Sequence, residues 1–85
     1  NYPNPFNPST SIEYSISRDS HVNLSIFNVK GQLIRTLVNG FEKRNYYRVI
    51  WDGRDGSGIR VESGVYFCRL TSDSYAQTKK LIILR

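Results

Sequence analysis

Apolar and polar residues alternate along most of this chain with a period of two, the mark of strands with one face buried and the other wet. From Ser11 to Ser17, Ile12, Tyr14 and Ile16 share one face, while Ser11, Glu13, Ser15 and Ser17 share the other. After a polar turn at Arg18-Asp19-Ser20 the alternation resumes from His21 to Phe27, with Val22, Leu24 and Ile26 facing in and His21, Asn23 and Ser25 facing out. Two such runs across so short a break predict a hairpin in an antiparallel sheet. Asn28-Val29-Lys30-Gly31 reads as a type I turn with Gly31 supplying a positive φ. From Gln32 to Val38 apolar residues occupy both phases, which predicts a strand covered on both sides or twisted at its end.

Asn39-Gly40 is a strong turn signal, and Phe41 to Tyr46 reads as a polar connection. Tyr47, Val49 and Trp51 then share a phase, and Trp51, the only tryptophan, is placed to be the central piece of the core. Asp52-Gly53 and Asp55-Gly56 read as two turn pairs whose glycines relieve a left-handed backbone. The next strand starts at Ser63-Gly64 and alternates through Tyr66, Cys68 and Leu70. Ser72-Asp73-Ser74 turns the chain into a last strand from Tyr75 to Arg85. That strand ends Lys79-Lys80-Leu81-Ile82-Ile83-Leu84-Arg85, aliphatics between basic ends. It reads either as a central sandwich strand or as a terminal edge strand displayed to a receptor. At the other end, Pro3, Pro5 and Pro8 hold an extended edge segment in which Phe6, between Asn4-Pro5 and Asn7-Pro8, is placed to plug one end of the core. With no stretch of helical period, the chain reads as an all-β, antiparallel β-sandwich of about seven strands.

Composition narrows this further. Eighty-five residues make one domain, and so small a domain buries only ~60% of the surface its unfolded chain exposes. Cys68 is the single cysteine, so no internal disulfide staples the fold; in a strand pattern it reads as a small buried hydrophobe. Methionine is absent even at position 1, which predicts that residues 1–85 form a domain excised from a longer protein. No apolar run approaches the ~20 residues of a membrane-spanning helix. The net charge is +5, and Lys79, Lys80 and Arg85 contribute three of those charges, which leaves 5 − 3 = +2 for residues 1–78. The basicity therefore belongs largely to the tail. Lys43-Arg44-Asn45-Tyr46-Tyr47-Arg48 interleaves cations with aromatics as single-strand binders do, but no broad basic face accompanies it, and a solvated loop leading into a strand accounts for the run.

Catalytic and metal chemistry find little footing. His21, the only histidine, falls on the polar phase of its strand with no nucleophile, Cys or Asp cluster beside it in sequence, so neither a hydrolytic triad nor a metal site is expected. Asp52, Asp55 and Ser57 suggest calcium, but the twelfth position counted from Asp52 is Ser63 rather than an acid, and turn chemistry explains the aspartates better. Gly53, Gly56 and Gly58 precede no helix whose N-terminus could hold a phosphate. No cofactor is expected.

The residues also carry a resemblance. Asn4-Pro5-Phe6-Asn7-Pro8 with Thr10 and Ile12, then Val22, Leu24, Ile26-Phe27-Asn28, Gly31, Ile34 and Leu37, then Trp51-Asp52-Gly53, Gly58, Ser63-Gly64-Val65-Tyr66, and the Lys79-Lys80-Leu81 to Arg85 ending are similar, in kind and order, to the type A C-terminal sorting domain of the type IX secretion system. Asn45 stands where that family often has glycine, and Arg18-Asp19 where a Pro-acidic turn is common; both departures lie in expected loops. The resemblance implies an Ig-like sandwich, similar to the Ig-like domain of the flagellar hook-capping protein, that acts as an address and not as an enzyme. It implies a cargo joined N-terminally, transit through the periplasm, passage by the type IX translocon with outer-membrane shuttle and sortase proteins as partners, and cleavage at the cell surface. It places the export signal on Lys79, Lys80, Leu81, Leu84 and Arg85, and a structural role on Asn4 to Pro8, Gly31, Trp51, Asp52, Gly53, Gly64 and Tyr66. A constitutive Ig-like adhesion module, retained on a surface protein, is the competing expectation.

Overall fold

The computed structural model describes residues 9–73 and 75–84. Among them are six strands and no helix: β1 (Thr10–Ile16), β2 (Ser20–Asn28), β3 (Leu33–Glu42), β4 (Asn45–Trp51), β5 (Gly64–Thr71) and β6 (Ala76–Ile83). Six replaces the expected count of about seven. The proline-rich edge segment, with Asn4, Pro5, Phe6, Asn7 and Pro8, lies outside the described residues. All pairings are antiparallel: β1 pairs with β4 in a two-stranded sheet, and the other four strands form a sheet in the order β3-β2-β5-β6.

The two sheets bury their apolar phases against each other. Ile12, Tyr14 and Ile16 of β1 and Trp51 of β4 meet Val22, Leu24 and Ile26 of β2, Tyr66, Cys68 and Leu70 of β5, and Ile83 of β6, with Val61 filling in from the loop. Period-two alternation therefore places the core where the sequence puts it. Tyr47 lies in this inward phase, stacked on Tyr14 with ring centroids 5.3 Å apart. That divides the Lys43–Arg48 run: Tyr46 and Arg48 face solvent while Tyr47 packs inward.

The expected β1–β2 hairpin does not form. Alternation cannot distinguish a hairpin from a chain that crosses between sheets, because Ile16 and Val22 face inward either way. Both edges of β2 are taken by β3 and β5, so β1 pairs with β4 across the sandwich. Ser20, expected in the turn, is instead the buried first residue of β2. Ser25, expected to face solvent, is also buried: it lies in a central strand between Thr36 and Arg69, and its hydroxyl donates to Asn23 Oδ1 at 2.6 Å.

The Asn39-Gly40 turn is likewise overturned. β3 runs on to Glu42, with Asn39 opposite Asn23 and Gly40 opposite Val22, because β2 offers pairing partners as far as Ser20. The chain reverses at Lys43-Arg44 instead. The apolar residues on both phases of β3 have their cause in its register, which slips between Leu24 and Ser25 and again between Ile26 and Phe27. Each bulge inserts an extra β3 residue and resets the alternation, so Ile34, Leu37 and Val38 all reach the core from a strand that pairs with β2 alone among the described residues.

Candidate functional site

β6 is an edge strand, paired with β5 alone among the described residues, so the central-strand expectation fails. Its register with β5 sorts its side chains. Gln77, Lys79, Leu81 and Ile83 sit opposite Leu70, Cys68, Tyr66 and Gly64 on the core-facing phase, while Ala76, Thr78, Lys80 and Ile82 share the outer phase. Burial along the inner phase is graded: Gln77 and Lys79 are exposed, Leu81 is half-buried and Ile83 is 3% exposed. A two-stranded sheet is too narrow to roof all four strands of the other. The first half of β6 therefore overhangs a lateral opening lined by Glu13, Tyr14, Tyr75, Gln77 and Lys79. The second half anchors the strand.

Tyr75 fixes where β6 starts. Its carbonyl accepts from Ser72 N–H at 2.9 Å, and its hydroxyl donates to Ser15 O of β1 at 2.9 Å, tying the turn to the opposite sheet. Neither lysine makes an ion pair among the described residues, although Glu13 lies across the opening from Lys79. Burial pushes the Cys68 thiol up to about 11, with the positive charge of Lys79 opposing. The thiol is thus held neutral, as a small core residue.

The corner after β4 is tied together by side-chain contacts and hydrogen bonds. Trp51 is fully buried, packs edge-on against Tyr66 at 5.8 Å, and donates from Nε1 to Arg54 O at 2.9 Å. Arg35 Nη1 reaches the same carbonyl at 3.0 Å and also pairs with Asp52 Oδ1 at 3.1 Å, so one oxygen draws β3, β4 and the loop together. Asp52 Oδ1 also accepts from Arg54 N–H, and Asp55 Oδ1 accepts from the Ser57 and Ile59 amides at 2.9 and 3.0 Å. Both aspartates thus spend carboxylate oxygens on turn amides, the use expected of them. Gly53 and Gly58, at φ of 75° and 87°, take the left-handed turns; Gly56, expected to do so, does not, and its amide donates to Ile34 O instead. Tyr66 OH donates to Glu62 O at 2.7 Å. Gly31 has φ 81° and closes its turn to Asn28 O at 3.0 Å, with Asn28 Oδ1 capping the Lys30 and Gln32 amides.

The structural motif and the proposed signal therefore occupy different places. Trp51, Asp52, Gly53 and Tyr66 build the corner, Gly64 opens β5, and Lys79, Lys80 and Leu81 lie on the β6 edge, with exposed Leu84 just beyond it. Arg85 is outside the described residues. Sequence reasoning missed Arg35 and Tyr75. An arginine inside the apolar run Leu33–Val38 was the available signal for the first; the second had none, since its partner Ser15 is 60 residues away in sequence. His21 is exposed and hydrogen-bonds Asn39 Oδ1 from Nε2 at 2.9 Å. No described helix is long and apolar enough to cross a membrane.

A family model described as a secretion system C-terminal sorting domain matches residues 1–84. Among solved structures, FlgD from P. aeruginosa is similar at 19% identity with a TM-score of 0.69, over 89% of this chain and 60% of that one, which shows a shared fold. This chain spans 60% of that FlgD chain's length. No curated protein matches.

Proposed function

The chain belongs to the secretion system C-terminal sorting domain family, and from that membership we propose that it is the address that sends an N-terminally joined cargo across the outer membrane by the type IX system. The family is one of targeting domains, not of enzymes. The family match over residues 1–84 carries this reading, since it takes in the corner motif and the whole of β6. In our reading the cargo passes through the periplasm, meets the translocon and its outer-membrane shuttle through Lys79, Lys80, Leu81, Leu84 and Arg85, and is delivered to the cell surface or the medium. There a sortase cuts the domain away.

The division of labour in β6 supports a recognition role. Lysines on an edge strand guard it against pairing with copies of itself, and the same two lysines show charge on a rigid support, which a signal read in the folded state needs. The test is a fusion of the domain to a soluble reporter in a type IX-competent host. Removing residues 79–85 is expected to abolish surface delivery, but it also strips Leu81 and Ile83 from the core. The decisive variant is therefore K79E/K80E, which alters only exposed residues. It is expected to keep its far-UV spectrum and melting temperature and to lose most surface delivery; full delivery by that folded variant overturns the assignment of the signal to the lysines. Intact-mass measurement of the mature surface protein reads cleavage directly, and a product that retains β6 refutes it.

A further inference from the structure

We propose that β6 is read by strand addition: an extended partner segment with adjacent acidic residues pairs along its open edge, places one carboxylate over Lys79 and the other over Lys80, and sets an apolar side chain against Ile82. This rests on the recognition role of β6 proposed above.

The backbone supplies the first part of the argument. Every second residue of an edge strand points its N–H and C=O away from its neighbour, and β6 has β5 on one side only among the described residues. Eight residues offer roughly 27 Å of such edge. Residues 76–80 are exposed throughout, and Ile82 is 63% exposed.

The charges decide what kind of strand fits. Lys79 and Lys80 are consecutive, so one projects on the core-facing phase and the other on the outer phase. A second copy of β6 laid antiparallel about this point would set lysine beside lysine on both faces, and like charges directly opposite are destabilising. The edge is thereby guarded against itself. Arg69, opposite Thr78 on the outer face, adds to the same field. The acids nearby do not cancel it: Glu13 lies across the opening with no ion pair among the described residues, and Asp73 sits in the turn before Tyr75. A strand with two neighbouring carboxylates removes the repulsion on both faces at once. Beyond the lysines, Ile82 opposite Val65 offers an apolar contact, which sets the direction of the partner's pattern.

The test uses the 85-residue chain and a blocked eight-residue synthetic peptide with a central Asp-Glu pair and isoleucine two positions to one side. Amide hydrogen exchange in β6 is expected to slow about tenfold at saturation while β3, the other edge of the same sheet, is unchanged. K79E/K80E is expected to weaken the peptide by at least about tenfold, and a Lys-Lys version of the peptide to bind that variant in its place, which a loss of fold could not produce. The same peptide with every backbone amide N-methylated is expected not to bind. Equal binding by the N-methylated peptide, protection at β3 rather than β6, or no binding near 1 mM would overturn strand addition. These readouts need no secretion apparatus. Peptide binding without reporter export therefore counts against the sorting reading alone, and export without peptide binding counts against strand addition alone.

Discussion

Trp51 shows how one residue can hold a domain of this size together. It is fully buried, stacks edge-on against Tyr66 and donates its indole N–H to the Arg54 carbonyl that Arg35 also uses. Trp51→Ala is expected to cost about 3–5 kcal/mol, a large part of the stability available to a small domain, and urea melts of variant and parent check it. Native emission should be that of a buried indole. Cys68 gives a second test at this scale. Burial raises its thiol from 9.0 to about 11, and burial with the hydrogen bond to Glu42 raises the Tyr14 phenol as well. Both groups are neutral when protonated and ionise at lower pH in the unfolded chain. The thiol's contribution to stability is therefore fully present below pH 9, its ordinary value, and is lost as pH rises through about 11, while the phenol's is fully present below pH 10 and is lost only at higher pH than the thiol's. Thermal melts between pH 8 and 11 should show that decline, and a thiol reagent at pH 8 should modify Cys68 only after unfolding.

At the scale of elements, β3 is where local signals and the fold disagree. Asn39-Gly40 is turn chemistry in isolation, yet both residues are paired with β2, and Gly40 is not among the glycines with positive φ. A Cβ built on Gly40 meets nothing within 4 Å. Gly40→Ala is therefore expected to stabilise the protein by about 0.5–1 kcal/mol, whereas in a left-handed turn it would destabilise; chemical denaturation gives the sign. The loop after β4 behaves in the opposite way. Asp55 caps the Ser57 and Ile59 amides, so Asp55→Ala is expected to cost about 1–2 kcal/mol. Adding calcium to the parent protein should leave its melting temperature unchanged, because the carboxylate acts on backbone amides.

For the whole molecule, the unequal sheets matter most. Among the described residues two strands face four, and at the β6 margin the inner phase carries exposed Gln77 and Lys79, while Leu81 is half-buried and Ile83 buried. The same inequality separates support from display: the corner at Trp51 and the anchor at Ile83 are buried, while Lys79 and Lys80 stand at the rim. The chain is expected to stay monomeric in moderate salt, because the lysines oppose β6–β6 pairing. Sedimentation should show any self-association of K79E/K80E mixed with the parent, where unlike charges meet, before it appears in the parent alone.

The sequence by itself determined the strand class, most of the core and the motif order. Those depend on side-chain alternation and on turn chemistry, which act over a few residues: Ile12 to Ile16, Val22 to Ile26 and Tyr66 to Leu70 are inward as their phases require. Only the tertiary structure decided partnership. Which strand β1 pairs with, that β3 continues through Asn39-Gly40, that Ser25 is covered and that β6 lies at an edge all depend on which neighbours occupy each strand's two sides. Backbone hydrogen bonds between strands are nearly the same whatever the side chains, so the alternation along one strand says which face is buried and not which strand lies beside it.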